Sequence, residues 1–295
     1  MLGSTLFTLG LVEVLFRFVM PPSTHHLMYR QSPDPAIGVE LLPDSEFDFA
    51  GVPVPIPASR VAISSQGLRE RMVTRPKPTG VRRLLCVGDS TTFGWGVNIN
   101  QTFCRRLETL LGAGWTTINL GVPGYNPSQA VRRFEVHGLP LEPDLVVLLL
   151  QSNDYEAPLD WGDRDSLLAA VVRASALARW IRVQLLQSRV PPEFDGVGEA
   201  IRAFQQLISL SKRHGFGVLV LTPDATGFAD LTPALDAESV AHRSIESAFS
   251  GQPELTIPGD GHPNADGHAA IAALIAEQLQ TRGLLGLRVD ATTAP

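Results

Sequence analysis

Basic charge is in short supply. Lys and Arg number 24 against 30 Asp and Glu, a formal net charge of −6, so no basic face stands ready for a nucleic-acid backbone. Cysteine is scarcer still. Two in 295 residues cannot define a disulfide framework; Cys86, inside an apolar run, and Cys104, at the start of a helical pattern, both read as buried core thiols. No internal repeat and no low-complexity run occurs, which excludes a repeat array. No A-x-A-like cleavage site follows the apolar N-terminus, where Pro21-Pro22 stands instead, and this argues against a cleaved signal peptide. What is present is ordinary for a globular chain with a substantial core: 44% hydrophobic and 18% charged residues.

Leu2 to Met20 is mostly apolar. As a helix its roughly 19 residues would span about 28 Å, near the minimum for a bilayer. Glu13 and Arg17 interrupt it four residues apart, so they can pair on one helix face, and Arg17 lies near the end, where it can snorkel. Residues 1–22 therefore read as an uncleaved membrane anchor, with an amphipathic packing helix as the alternative. The flanking basic residues give little support for exporting the C-terminal domain. Residues 23–80 are rich in proline and read as a linker with short strands near Ser45 to Phe49 and Arg60 to Ser64. Within it, Ser65-Gln66-Gly67-Leu68-Arg69 reads as a strand–turn element beside the cleft or, equally, as a surface turn.

From residue 81 the pattern alternates. Leu84 to Val87, Thr116 to Leu120, Leu145 to Leu150 and Val218 to Leu221 are short apolar runs, suited to strands covered on both faces. Phe103, Leu107, Leu110 and Leu111 recur at helical spacing, as do Ile201, Phe204, Leu207 and Ile208 before the stop signal Gly215. After Asn264, a suitable N-cap, Ile271, Leu274, Ile275 and Leu279 share one face of a last helix. Such alternation implies a parallel sheet with helices on both sides. Ser166 to Arg189 reads as a crossover helix with a solvated arginine face, or as a lid.

Four short blocks carry chemistry. Gly88-Asp89-Ser90-Thr91-Thr92-Phe93-Gly94 follows the first apolar run, and sites of open α/β sheets form outside the carboxyl ends of strands. The block lacks the lysine and glycine spacing of a P-loop. It is not a G-x-S-x-G elbow either, because Thr92 stands where the second glycine belongs. Far along the chain comes Asp260-Gly261-His262-Pro263-Asn264. In extended backbone, residues two apart point the same way, and Pro263 biases His262 toward that geometry, so one loop can present both side chains. A serine hydroxyl is a weak nucleophile until a base and an orienting carboxylate activate it. The remaining blocks are Asn119-Leu120-Gly121-Val122-Pro123-Gly124 and Gln151-Ser152-Asn153-Asp154. Asp266 and His268 lie near the base, but one loop offers no complete metal-ligand set.

Together the four blocks resemble the SGNH hydrolases, the GDSL-like esterase and lipase superfamily, over roughly residues 81 to 285. The resemblance implies a flavodoxin-like three-layer α/β/α sandwich occupying residues 81–288, followed by a tail at 289–295, and no cofactor or metal. It implies Ser90 as nucleophile, His262 as general base and Asp260 as its orienter, with an oxyanion hole made by the Ser90 backbone N–H, Gly124 and Asn153. Asp89 and Asp154 would brace the loops. Two departures stand out: Gln151 replaces the usual glycine two residues before Asn153, and one residue rather than two separates Asp260 from His262. Phe93, Trp95, Tyr125 and Tyr155 follow the motifs and read either as lining of an acyl or sugar subsite or as core aromatics. The implied substrate is a small-acyl ester, and an O-acetylated envelope saccharide if the anchored domain faces the periplasm or cell exterior, as in similar anchored bacterial proteins. An O-acyltransferase using the same acyl-enzyme and a non-catalytic carbohydrate-binding protein are the rival readings.

Overall fold

Leu84, Leu85, Cys86 and Val87 are apolar in succession because their strand is covered from both sides. In the computed structural model of the protein, which describes residues 2–19, 28–49, 56–151, 171, 175–178, 181, 195–223, 231–249 and 251–285, this run is β5 (Arg82–Val87). It lies inside a five-stranded sheet with β6 (Trp115–Asn119), β7 (Leu145–Leu149), β8 (Gly217–Thr222) and β9 (Ala241–Ser244). The order is β6-β5-β7-β8-β9 and every pairing is parallel, the doubly wound flavodoxin-like arrangement. Four strands coincide with the apolar runs. The fifth, β9, has a single apolar residue among Ala-His-Arg-Ser and lies at the sheet edge, so it leaves no hydrophobic signature.

Successive side chains of each strand enter opposite layers. Leu84, Cys86, Val147, Leu149, Leu219 and Leu221 pack with Phe103 and Leu107 of α3 (Phe103–Leu111) and Ile271, Ile275 and Leu279 of α7 (Ala265–Thr281). Leu85, Val87, Val146, Leu148, Val218 and Val220 face Val131 of α4 (Pro127–Arg133), Phe204 and Leu207 of α5 (Gly196–His214) and Leu231 and Leu235 of α6 (Leu231–Ala237). The fold is therefore the three-layer sandwich the alternation implies. Gly215 ends α5 with a φ of +74°, and the Asn264 carboxamide caps α7 by accepting from the N–H groups of Asp266 and Gly267. Leu110 departs from its expected face and is exposed.

Cys86 and Cys104 are not free core thiols; they form a disulfide with Cα atoms 6.1 Å apart. Cys86 projects from β5 toward the α3/α7 layer, and Cys104 lies in the first turn of α3 directly over that strand. Two buried thiols forced onto the same spot have no other neighbour of their kind.

The proline-rich stretch contributes more than a tether. β1 (Tyr29–Gln31) pairs antiparallel with β2 (Val39–Leu41), and β3 (Ser45–Phe49) with β4 (Ser59–Ile63). Met28, Ile37, Val39, Leu41, Val61, Ile63 and Leu68 are buried in the same core as Leu85, Val87 and Val131. Backbone groups tie the two parts: Gln129 Nε2 donates to Ile37 O (3.0 Å), Arg133 Nη2 to Gly67 O (2.6 Å), and Tyr125 Oη to Val39 O. Buried Glu40 accepts hydrogen bonds from Arg30 and Ser32 and meets His137 Nε2 at 3.0 Å. Burial alone would raise this carboxyl, but the bonds from His137, Ser32 and Arg30 outweigh it and hold it down at about 2.

At the N-terminus, α1 (Leu2–Val19) contains the expected Glu13–Arg17 pair at 2.9 Å. Glu13 also accepts from Ser175 Oγ and the Ala176 and Leu177 N–H groups. Among the described residues no helix is long and apolar enough to cross a membrane. The helical pattern expected over 166–189 lies outside the described residues except at positions 171, 175–178 and 181.

Candidate active site

The chain must turn sharply where β5 ends. Gly88 makes this possible: a Cβ there would lie 2.4 Å from Thr92 Oγ1 and 2.7 Å from Leu149 O. Asp89 then caps the four-residue helix α2 (Ser90–Phe93) by accepting from Thr91 N. Ser90 opens that helix, where a backbone N–H has no intrahelical acceptor. Gly94, at φ +94°, ends it. Asn119, from the end of β6, braces the turn: its Nδ2 donates to Thr92 O (2.7 Å) and its Oδ1 accepts from Gly121 N (2.9 Å). Gly121 is itself required, since a Cβ would fall 2.2 Å from Phe93 N.

Ser90 Oγ lies 2.8 Å from His262 Nε2, although 172 residues separate the two in sequence. His262 Nδ1 lies 2.5 Å from Asp260 Oδ1, and the His262 backbone N–H donates to the same oxygen at 3.2 Å. The single intervening residue, Gly261, adopts a φ of +91°. That left-handed turn lets a one-residue spacer bring the carboxylate onto the ring. Ser90 is buried and His262 half-buried. A second acceptor, Asp89 Oδ2, lies 3.1 Å from Ser90 Oγ. Asp89 is fully enclosed, and that burial raises its carboxyl despite the bonds it accepts.

The sequence-predicted residues fall into three groups. Ser90, His262, Asp260, Asp89 and Gln151 all line one cleft of about 440 Å³, together with Ile245, Glu246, Phe249 and Thr256. Gly124 sits at φ +79° in the turn from Val122 to Tyr125. That loop is pinned to the Ser90 turn, because Val122 N donates to Gly88 O (3.2 Å). Asn153, Asp154 and Tyr155 lie outside the described residues. Of the motif aromatics, Phe93 and Tyr125 are core side chains, whereas Trp95 stacks on the His262 ring with centroids 5.5 Å apart. Glu246 and Phe249 reach the cleft from the short helical turn after β9, and no spacing in the sequence marks them.

His268 is a packing residue. It is fully buried, stacks on Phe103, and its Nδ1 accepts from Phe103 N (3.2 Å). Burial, aided by the nearby Arg69 and Arg106 cations, holds its imidazole at about 3, so it stays neutral. Among the described residues no group of three His, Cys, Asp or Glu side chains is placed to hold a metal ion.

The pattern of the GDSL-like Lipase/Acylhydrolase family matches residues 86–270. The chain belongs to this family. The GDSL-like match spans the sheet, the Ser90 turn and the His262 loop, and the protein is an SGNH-type ester hydrolase. Among solved structures it is similar to TesA, with 17% identity, a TM-score of 0.49, and coverage of 68% of this chain and 99% of that one. LAE5, an alpha/beta hydrolase enzyme from the metagenome of Lake Arreo, Spain, aligns at 18% identity and a TM-score of 0.47, covering 69% and 96%. Axe2, an acetylxylan esterase from Geobacillus stearothermophilus, aligns at 16% and 0.46, covering 67% and 94%. No curated protein sequence matches.

Proposed function

We propose that this GDSL-like hydrolase cleaves small-acyl carboxylic esters through a Ser90–His262–Asp260 triad. One observation carries the reading: a serine oxygen at the end of the central strand lies 2.8 Å from an imidazole nitrogen whose other nitrogen holds a carboxylate at 2.5 Å. His262 Nε2 takes the Ser90 proton as Oγ bonds to the ester carbonyl carbon. The imidazolium, steadied by Asp260, then gives that proton to the departing alkoxide. Water repeats the sequence on the acyl-enzyme and releases the acid. The Ser90 backbone N–H, Gly124 and Asn153 stabilise the tetrahedral oxyanion. Each preorganised donor of this kind contributes about 10²–10³ in rate. Asp89 supports the nucleophile from behind, Gln151 borders the cleft, and Asp154 braces the Asn153 loop.

The substrate proposed is an O-acetylated saccharide outside the cytoplasm. A cleft of about 440 Å³ accommodates a small acyl group and part of a sugar. The Cys86–Cys104 disulfide supports an oxidising compartment. Exposed Phe7, Leu11 and Phe18 on α1 support attachment of the N-terminus to a membrane. The decisive experiment labels the full chain with a fluorophosphonate probe and follows acetate release from p-nitrophenyl acetate and acetylated glycans. Labelling and turnover should vanish in Ser90→Ala; unchanged labelling would remove the nucleophile. Acetyl transfer in place of release on adding a saccharide acceptor would redirect the reading to an acyltransferase.

A further inference from the structure

Arg69 is 1% exposed, and among the described residues its guanidinium has no carboxylate partner. Burial without an anion pulls its pKa down to about 9. Enclosing an uncompensated cation costs several kcal/mol, so the site has a use for the planar fork of donors that only arginine supplies. The use is visible. Nη1 donates to Phe93 O (2.9 Å) and Gly94 O (2.6 Å), Nη2 donates to Val97 O (2.5 Å), and the guanidinium lies 4.5 Å over the Phe93 ring. The first two carbonyls belong to the last residue of α2 and its C-cap, where helical partners run out.

Between the anchored carbonyls stands Trp95. Its backbone N–H donates to the Ser90 carbonyl at 3.0 Å, and its indole stacks on His262. Gly96, at φ +74°, lies so close to the base loop that a Cβ would meet Ile257 Cδ1 at 2.5 Å. Ile257 in turn donates its N–H to His262 O at 2.8 Å. The loop 93–97 thus starts in the nucleophile's turn and ends against the base's loop, and one guanidinium grips both ends.

We propose that Arg69 is a positioning residue which, through the 93–97 loop, sets Trp95 against the imidazole of His262 and thereby fixes the base relative to Ser90 Oγ. The inference rests on the triad reading. Its chemistry is indirect: no atom of Arg69 touches the reacting ester. His262 also faces Asp260 at Nδ1, Asp89 behind Ser90, neutral His268, and Glu246 across the cleft; none of these changes in the variants below.

The test measures kcat and KM separately, from pH 5 to 9, on p-nitrophenyl acetate with the full chain. In Trp95→Leu kcat should fall roughly 10²-fold with KM within a few-fold of wild type, and Trp95→Phe should restore most of it. Arg69→Lys keeps the charge but loses the fork; kcat should fall roughly 10²-fold, as for a misplaced catalytic group, with KM within a few-fold of wild type. The double variant should be no slower than the slower single one, since the two changes break one chain of contacts. A folded Arg69→Lys enzyme with wild-type kcat, or losses that multiply in the double variant, would overturn the inference. If Arg69→Lys fails to fold, an unmoved kcat in Trp95→Leu overturns it alone. Equal turnover by wild type and Ser90→Ala is a different failure, that of the triad itself.

Discussion

The turn around Ser90 and the loop around His262 meet at one hydrogen bond but are built in opposite ways. The turn around Ser90 is held from a distance. Arg69 lies 24 residues before Phe93 and Asn119 lies 27 residues after Thr92, and both bind its carbonyls. The loop around His262 is held by itself. Ile257 N bonds His262 O, Asp260 N and Gly261 N bond Ile257 O, and Asn264 Nδ2 reaches back to Glu254 O at 2.6 Å. The turn is buried and the loop half-open. A group that must attack one carbonyl carbon needs a fixed address. An imidazole that carries a proton between two oxygens needs a fixed axis, which the Asp260 contact and the stacked Trp95 face define.

Substitutions in the two regions should therefore behave differently. The largest effect falls on activity: His262→Ala should cost as much as Ser90→Ala, about 10⁶-fold in kcat as for a comparable triad, with the melting temperature almost unmoved because the loop carries its own bonds. A melting temperature that fell sharply would show that the base loop is not self-supporting. Next comes the strand beneath the nucleophile. Replacing Cys86 and Cys104 together by Ser should lower stability by about 3 kcal/mol, the value expected for a closed loop near this length, measured by urea unfolding with and without reductant.

A smaller effect tests how firmly the N-terminal strands are docked. Glu40 is held below its ordinary range when folded. Its contribution is therefore present above about pH 4.5 and disappears as pH falls toward 2. Glu40→Gln should cost about 2 kcal/mol at neutral pH, as for a lost bond to a charged group, and the gap to wild type should close through that acid window. The smallest effect returns to the base loop. Gly261→Ala at φ +91° meets no atom within 4 Å, so only backbone strain of roughly 1 kcal/mol is expected, read as a modest fall in kcat. A loss as large as that of His262→Ala would mean that the loop tolerates no adjustment.

Much of this architecture is written in short-range patterns. Four of the five sheet strands announce themselves as apolar runs, and Asn264 and Gly215 mark helix ends by their capping chemistry. Ser90, His262 and Asp260 are legible because their chemistry demands particular residue types next to strand ends and turns. The one-residue spacer between Asp260 and His262 is decided by the φ of Gly261, which no spacing rule encodes. What escaped the sequence was held by long-range geometry. The Cys86–Cys104 bond depends on which face of β5 lies under α3. Arg69 reads locally as a turn residue, and its partners are carbonyls, which every residue has. β9 at the sheet edge needs little apolar surface. Trp95, Phe93 and Tyr125 look alike in sequence, yet one touches the base and two fill the core.

The docking of β1–β4 onto the sandwich has a practical corollary for anyone trimming the gene. A fragment limited to residues 86–270 would keep Ser90, His262 and Asp260 and lose four of the six residues of β5, the cation that grips the 93–97 loop and the hydrophobic wall of Val39, Leu41, Val61 and Ile63. Greasy surface would then be left facing water, and the expected product is an insoluble, inactive polypeptide rather than a minimal enzyme.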